Sequence, residues 1–501
     1  MHIRLLIIFL ALFIASFTWK DWHSKLIELK PDGRLVYKPD SKGNILPDFS
    51  RVGYGTGNVP IPDIPIAKII EPGVQAEAQL QQAISELSEK PLNKSGFRGA
   101  IVVKKGRYPI KEQIKINASG IVLRGEGAGT TFIAEGTDKR PLIQVTGEGG
   151  IKEIKGTRTG VRAEYVPVGS FSIPVVSAAG FKKGDRIILE WNATQQWIND
   201  LRMNRIVERP GTQQWQVKEY RFQFQREVTG IKGNSLIIDN PVVMEIAPEY
   251  CSAFVYKYDF DGRIRNIGVE HLNCESAYTT DTSEDHSWDA VFFDKVEHGW
   301  VRNVNARYFA YSCVNLGRLT KNISVLNCSG TDHKSIITGG RRYSFNNDGQ
   351  QNLFMNCVAK DGRHDYVTGA RVCGPNVFYN CKASNTHADI GPHHRWAMGT
   401  LYDNIETSGE MNVRDRGNWG SGHGWPGVNQ IFWNCTARTI VVESPWVSGK
   451  NYAIGVKGKK VPGRLEGRPD GEWEGHGQDG LQPSSLYQAQ LKARQLSLTG
   501  K

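Results

Sequence analysis

Short apolar segments recur through the second half of this 501-residue chain, each closing on the same polar pair. Lys321 to Gly330 reads KNISVLNCSG, Gln351 to Lys360 reads QNLFMNCVAK, Pro375 to Ser384 reads PNVFYNCKAS and Val428 to Arg438 reads VNQIFWNCTAR. Every unit is an Asn, a short apolar or aromatic strand, and then Asn-Cys; a fifth pair is Asn273-Cys274. Cys328, Cys357, Cys381 and Cys435 lie 29, 24 and 54 residues apart, and the last gap is close to two units of about 27. Such a period, with no amphipathic helices between the strands, predicts a solenoid of parallel stacked coils rather than a sandwich, and a right-handed parallel β-helix fits best. Equivalent residues of successive coils would then sit roughly 4.8 Å apart. Buried Asn ladders and a buried thiol column are expected, and the Cys spacing also falls within disulfide reach.

Upstream, Val74 to Leu87 (VQAEAQLQQAISEL) carries Ala, Leu and Ile at helical spacing, which predicts a short amphipathic helix able to cap an open coil end. Phe97 to Ile133 then alternates strands with Gly-rich turns. This stretch resembles the start of the pectate-lyase-superfamily β-helix proteins, in its helix, its GAIVVKKGRY strand pair and its GIVLRGEGAGTT coil. The resemblance resumes in the coils after about Phe260. It implies an all-β fold, a right-handed parallel β-helix, and says little about activity, because that fold hosts lyases, hydrolases and non-catalytic adhesins.

Residues 151–256 break the period. The strand Gly184 to Trp191, a Trp/Gln/Arg-rich stretch and a Gly-Asn turn at Gly233-Asn234 predict an inserted β-rich subdomain that walls one side of a cleft. The expected division is a signal peptide over 1–19, an extended segment over 20–71 packed along the solenoid, and the helix with the first coils over 72–150. The insert (151–256), the main coils (257–445) and a tail (446–501) follow. The tail ends in a short amphipathic stretch, Leu486 to Leu496, expected to be flexible.

Composition narrows the partner. Lys+Arg number 62 against 51 Asp+Glu, a net charge of +11 with a pI near 9.1, which favours a polyanion: nucleic acid, anionic lipid or acidic polysaccharide. The start of the chain discriminates among them. His2 and Arg4 precede an apolar run from Leu5 to Phe17, too short for the ~20 residues of a membrane span and shaped like a signal peptide. An exported, periplasmic or secreted, monomeric protein is expected, with no span after cleavage and no nucleic-acid partner. An anionic poly- or oligosaccharide is the expected ligand. No CxxC pair suggests zinc, and no Gly-rich strand-to-helix pattern suggests a nucleotide.

Five of the twelve His fall within Asp361 to Trp425, interleaved with Arg363, Arg371, Arg395, Arg414 and Arg416. His333, His364 and His387 follow Cys328, Cys357 and Cys381 by five, seven and six residues, so the stacked coils predict a row of imidazoles. The row is suited to an anion if protonated and to a metal if neutral; Lys334 and Arg363 flank it, and turn-capping is the structural alternative. A second element joins GPHHRWAMGTLYDN (Gly391–Asn404) to NVRDRGNWGSGHGWP (Asn412–Pro426). Here His393, His394 and Arg395 offer a base and a clamp, Tyr402 an acid, Arg414 and Arg416 one face of a strand, and Trp396, Trp419 and Trp425 sugar-stacking surfaces.

These residue types match uronate β-elimination, in which cations neutralise a carboxylate, a base takes the neighbouring proton and an acid assists the group leaving O4. The expected base is His364 or His394. The clamp is Arg395 with Arg371, Arg414 or Arg416, the acid is Tyr402 or a second His, and His333, Lys334, Arg363, His387, His393, His423 and Trp425 complete the binding surface. Loss of a sugar makes the protein a polysaccharide lyase and loss of water an oligosaccharide dehydratase. The cluster also resembles that of β-helix proteins from degradation systems for ulvan-type sulfated polysaccharides. Gly422-His423-Gly424 is similar to the Gly-His-Gly of polygalacturonases, but their Asp-Asp pair is absent from the chain; a hydrolase would need two carboxylates from Asp365, Asp389, Asp403 and Asp415. A non-catalytic glycan-binding solenoid is the other alternative. No cofactor is expected, unless Asp281, Glu284, Asp285 and Asp289 hold calcium and are not merely an exposed acidic loop.

Overall fold

The computed structural model describes residues 21–499; the expected signal peptide lies outside the described residues. Twenty-eight of the described strands join in one continuous hydrogen-bonded array, and within it each strand pairs in parallel with its counterpart one coil later. Val325, Phe354, Phe378, Tyr402, Phe432 and Ala453 are successive partners along one such file. Their rings stack inward: Phe354 on Phe378 at 4.8 Å, Phe378 on Tyr402 at 5.2 Å, Tyr402 against Phe432 at 5.3 Å between centroids. The chain is therefore mostly β with long parallel sheets, and the apolar positions of each repeat form one core that runs the length of the stack.

The Asn-Cys pair proves to be a corner. Asn327, Asn356, Asn380 and Asn434 all adopt the left-handed conformation, with φ between +51° and +56°, a region Asn tolerates better than other residues with a Cβ. The corner turns the next residue, Cys, into the core, where all eight cysteines are buried free thiols. The expected Asn ladder exists, but at the surface. Asn327 Nδ2 donates to Asn303 Oδ1 (3.2 Å), Asn356 to Asn327 (3.1 Å) and Asn380 to Asn356 (2.7 Å), with Asn327, Asn356 and Asn380 themselves exposed. The buried Asn are those that open each repeat: Asn352 Oδ1 accepts from Ile323 N, and Asn376 Oδ1 from Asn352 N, both at 2.9 Å.

Helix α1 (Ala76–Ser88) buries Ala76, Leu80, Ala83, Ile84 and Leu87 against the first coils. Between Lys152 and Asp259 lies a seven-stranded sheet whose pairings are antiparallel, with α2 (Gln195–Asp200) packed beside it. Its core is aromatic: Trp191, Trp197, Trp215, Tyr220 and Phe222 cluster with Trp396 and Trp425, which come from the main coils. Fully buried Arg226 ties the two parts together by donating to Pro241 O (3.1 Å) and Gly374 O (3.0 Å).

The C-terminal end departs from expectation, while the segment before α1 packs along the coils as expected. The stretch expected to be flexible is helix α3 (Leu486–Thr499), whose Leu486, Tyr487, Gln490 and Arg494 are buried. Two partners order it. Asp403 Oδ2 accepts from Ser485 Oγ (2.8 Å) and Tyr487 N (2.7 Å), and Gln490 bridges Phe49 N and Pro47 O (2.9 Å each). Residues before α1 run along the outside of the coils, from Trp22 beside Leu481 to Tyr54 N on Ser324 Oγ (2.9 Å).

Candidate functional site

A cleft of about 830 Å³ opens where the coils between Thr338 and Arg438 meet, and it holds most of the histidines singled out above. His364 sits in the turn before strand Tyr366–Thr368, its backbone N held by Arg342 O (3.1 Å). Asp389 opens strand Asp389–Pro392 one coil later, and His393 and His394 leave that strand's end. The next two residues are strained: Arg395 and Trp396 have φ of +50° and +73°, uncommon for residues with a side chain and costly unless the surroundings impose it. They are imposed by Arg395 N donating to His423 O (3.1 Å) and Trp396 N to Trp425 O (3.0 Å), with the Trp396 ring buried under the inserted sheet. This lashing brings His423 against the pair.

Four imidazoles thus pack together, edge to face except for the tilted pair His394 and His423. Ring centroids are 4.5 Å apart for His364 and His393, 5.1 Å for His393 with both His394 and His423, and 4.8 Å for His394 and His423. Tyr343 lies 4.9 Å from His364 and 5.4 Å from His393. Burial lowers all four: His364 and His423 to about 4, His394 to about 3, His393 well below the ordinary imidazole value. Neighbouring guanidiniums and imidazoles push His393, His394 and His423 further down, whereas Asp389 pulls His364 back up. Near pH 7 the cluster is neutral, so it is not the protonated row that anion binding by imidazolium would require.

His364 differs from the others in having one nitrogen anchored, whereas His393, His394 and His423 each leave a buried Nδ1 without a partner among the described residues. The His364 Nδ1 lies 2.9 Å from Asp389 O and 3.5 Å from Asp389 Oδ1. A carbonyl only accepts, so Nδ1 carries the hydrogen and Nε2 keeps its lone pair. That Nε2 is buried and has no partner among the described residues. Asp389 is in turn ion-paired with Arg416; burial alone would raise its carboxyl, but Arg416 and His364 outweigh burial and hold it at about 2.

Cations line the same cleft. Arg416 and Arg414 flank Trp419, with Arg414 also paired to Glu410 at 2.9 Å. Arg363 donates to Gly339 O, and exposed Arg438 makes no side-chain ion pair among the described residues. Four guanidiniums face two carboxylates, Asp389 and Glu410, leaving the cleft net positive.

Of the residues expected from sequence, the fold gathers His364, His387, His393, His394, His423, Arg363, Arg414 and Arg416 around this cleft. It places the others elsewhere. Tyr402 is fully buried in the core file, stacked on Phe378 and edge-on to Phe432. His333 is buried with both nitrogens occupied, by Phe309 O (2.9 Å) and Ser344 Oγ (3.0 Å), so the predicted three-His row is broken at its first member. Lys334 pairs with Asp281 (2.8 Å). Arg395 reaches Ser421 O (2.9 Å) and Glu219 (3.7 Å), and Arg371 lies over the Tyr220 ring (5.8 Å); both face the inserted sheet. Trp425 packs in that sheet's aromatic core. Tyr343, Glu410 and Arg438 also line the cleft without being candidates from sequence: Tyr343 and Glu410 have no motif around them, and Arg438 ends a repeat whose pattern marks the coil and not the site.

The Gly-His-Gly similarity has a local cause. Gly422 (φ +88°) and Gly424 (φ +57°) face the inserted subdomain, and a Cβ on them would lie 2.6 Å from Gln213 O and 2.3 Å from Met203 Sδ. Close packing, not catalysis, requires those glycines. The hydrolase carboxylates are likewise dispersed: Asp365 is hydrogen-bonded to Ser344 (2.8 Å), Asp403 holds α3, and Asp415 is paired with Arg468 (2.7 Å). The acidic calcium cluster is divided as well, with Asp281 on Lys334, Glu284 on Arg341 (2.7 Å) and Asp289 buried on Ser312 (2.5 Å). Among the described residues, no group of three or more His, Cys, Asp or Glu is arranged to hold a metal ion.

No protein-family model and no curated protein matches the chain. Solved structures overlay on it with little identity. ORF18 of Geobacillus virus E2 is 13% identical, with 79% of this chain and 58% of that one covered and a TM-score of 0.43. An alginate lyase from Paenibacillus sp. is 10% identical, with 83% and 99% covered and a TM-score of 0.41. A tailspike protein from Pseudomonas phage LKA1 is 14% identical, with 79% and 70% covered and a TM-score of 0.38. This chain spans less than two thirds of the Geobacillus virus protein. None of the helices among the described residues is long and apolar enough to cross a membrane.

Proposed function

We propose that this protein is a carbon–oxygen lyase that acts by β-elimination on uronic-acid-containing poly- or oligosaccharides, probed first among ulvan-like sulfated and pectin-like chains. The single observation that carries the reading is His364: a neutral imidazole, its tautomer fixed through Nδ1, whose buried Nε2 has no partner among the described residues, in a cleft lined by guanidiniums. Arg363, Arg414, Arg416 and Arg438 surround the substrate carboxylate, which makes the proton on C5 removable. His364 Nε2 takes that proton, the electron pair forms the C4=C5 bond, and the C4–O4 bond breaks. The Tyr343 phenol, kept protonated by burial, gives its proton to the departing oxygen. A departing sugar makes the enzyme a polysaccharide lyase; a departing hydroxyl leaves as water and makes it an oligosaccharide dehydratase. Asp389 orients His364 and holds Arg416 in place, the role of the third member of a triad.

Paired carboxylates favour this reading over hydrolysis, since Asp389 and Glu410 are each engaged by an arginine and hydrolysis needs two that flank the bond freely. The proposal includes export of a monomer, a right-handed coil whose first turn α1 closes, no required cofactor, and the six-part division of the chain given above. The test is incubation of the mature protein with uronate polymers and oligosaccharides while absorbance is followed near ~235 nm, where an unsaturated uronate absorbs, with mass spectrometry of the products. Rising absorbance supports elimination, and the masses tell sugar from water as the leaving group. New reducing ends without absorbance would move the assignment to hydrolysis, and binding with no product would make the protein a glycan-binding solenoid.

A further inference from the structure

A second pocket, of about 440 Å³, lies across one turn from the cleft. Gly417 and Asn418 line it, while Trp419 and Gly420 line the cleft, so four consecutive residues form the ridge between them. Trp419 carries guanidiniums on both sides: Arg414 (5.4 Å) and Arg416 (5.9 Å) towards the cleft, Arg464 (4.8 Å) towards the second pocket. Arg464 also braces the ridge, donating to Arg416 O (3.2 Å) and Asn418 Oδ1 (3.3 Å).

The pocket has more positive charge than it uses, with Arg202, Arg205, Arg464 and Arg468 against Asp415 and Glu466. Its buried carboxylate, Asp415, is already paired with Arg468 (2.7 Å). Arg205, exposed on the loop after α2, makes no hydrogen bond or ion pair among the described residues. Arg464 is pushed below the ordinary guanidinium value, first by burial and then by Arg209 and Arg414 nearby. Val207, 74% exposed, offers an apolar patch beside these cations. Guanidiniums that fork onto oxyanions, together with an apolar face, are what a charged sugar ring needs.

We infer that this pocket is a second anion subsite, which holds a carboxylate- or sulfate-bearing sugar of the same chain whose uronate occupies the cleft, with Trp419 between the two. The inference rests on the cleft binding an anionic glycan. It predicts that the protein distinguishes oligosaccharides from disaccharides by their remote charges, since a disaccharide in the cleft cannot reach across the ridge.

The test compares affinities by calorimetry in a His364→Ala background, which keeps the chains intact, for a uronate disaccharide and for hexasaccharides with and without sulfate esters. Adding Arg205→Glu should weaken hexasaccharide binding by about tenfold or more, the scale of a lost charge-assisted contact, and leave the disaccharide unchanged. Arg464→Ala should give a similar loss; Arg205 carries the test if the ridge is disturbed. Loss confined to the sulfated hexasaccharide identifies sulfate as the anion, and loss with both identifies the carboxylate. Unchanged hexasaccharide affinity in Arg205→Glu overturns the subsite, as does equal loss for disaccharide and hexasaccharide. Because the readout is binding, a protein without eliminase activity that still shows the selective loss would keep the subsite and lose only the proposed reaction.

Discussion

His333 and His364 occupy comparable turns of neighbouring coils, yet they have opposite fates. Both are buried, and burial lowers both to about 4. His333 spends both nitrogens on its own coils, on Phe309 O and Ser344 Oγ. His364 spends one, on Asp389, and directs the other to a cleft lined with arginines. A shifted imidazole is therefore no mark of a site by itself; the unspent lone pair beside uncompensated positive charge is what separates chemistry from packing.

The sharpest way to break this contrast is to remove each ring in turn. His364→Ala is expected to lower kcat by about a thousandfold, within the usual range for a general base. His333→Ala should leave turnover within a few-fold and cost about 1–3 kcal/mol of stability through its abandoned partners, read by denaturant unfolding. Equal kinetic losses would erase the distinction. The two tyrosines extend it: Tyr343→Phe should lower kcat by about a hundredfold with KM little changed, whereas Tyr402→Phe, inside the core file, should leave kcat alone.

Smaller effects follow at the arginines of the cleft and at the start of α3. Arg414→Ala or Arg438→Ala should raise KM by about tenfold, a loss that Arg371→Ala, whose side chain faces the inserted sheet, should not share. Asp403→Ala should free the start of α3 and cost about 1–3 kcal/mol with turnover intact. The slightest change is in pH response. An imidazole depressed to about 4 stays unprotonated as pH falls through the ordinary His value, so kcat/KM at pH 5.5 should stay within about twofold of that at pH 7; an unshifted base would lose about tenfold. An acid limb near pH 6.5 would remove His364 from the base role.

Much of the solenoid was legible because its stacking repeats a local rule. Each coil needs an apolar strand, a corner that tolerates left-handed backbone and a small residue turned inward, and Asn-Cys supplies the last two in adjacent positions. The same rule misled about the Asn ladder, since a corner residue points outward. Clustering of His and Arg between Asp361 and Trp425 fell on the segment that lines most of the cleft, yet individual contacts were not legible there. Arg395, Trp396 and Trp425 have the residue types of a binding surface, but the inserted sheet claims them for its own core. Tyr343 was invisible, because its only distinction is the pair of rings it meets.

The sequence by itself determined the repeat, the parallel stacking it implies, the helix near α1 and the segment that carries the cleft, all consequences of spacing and local backbone preference. Only the tertiary structure decided which imidazole of the cleft has its tautomer fixed by a carbonyl, which arginines stay uncompensated and that the C-terminal stretch is a packed helix. Those outcomes depend on contacts between residues as far apart as Glu219 and Arg395, or Asp403 and Tyr487. Hydrogen-bond partnership and burial belong to the packed neighbourhood, and residue order does not encode them locally.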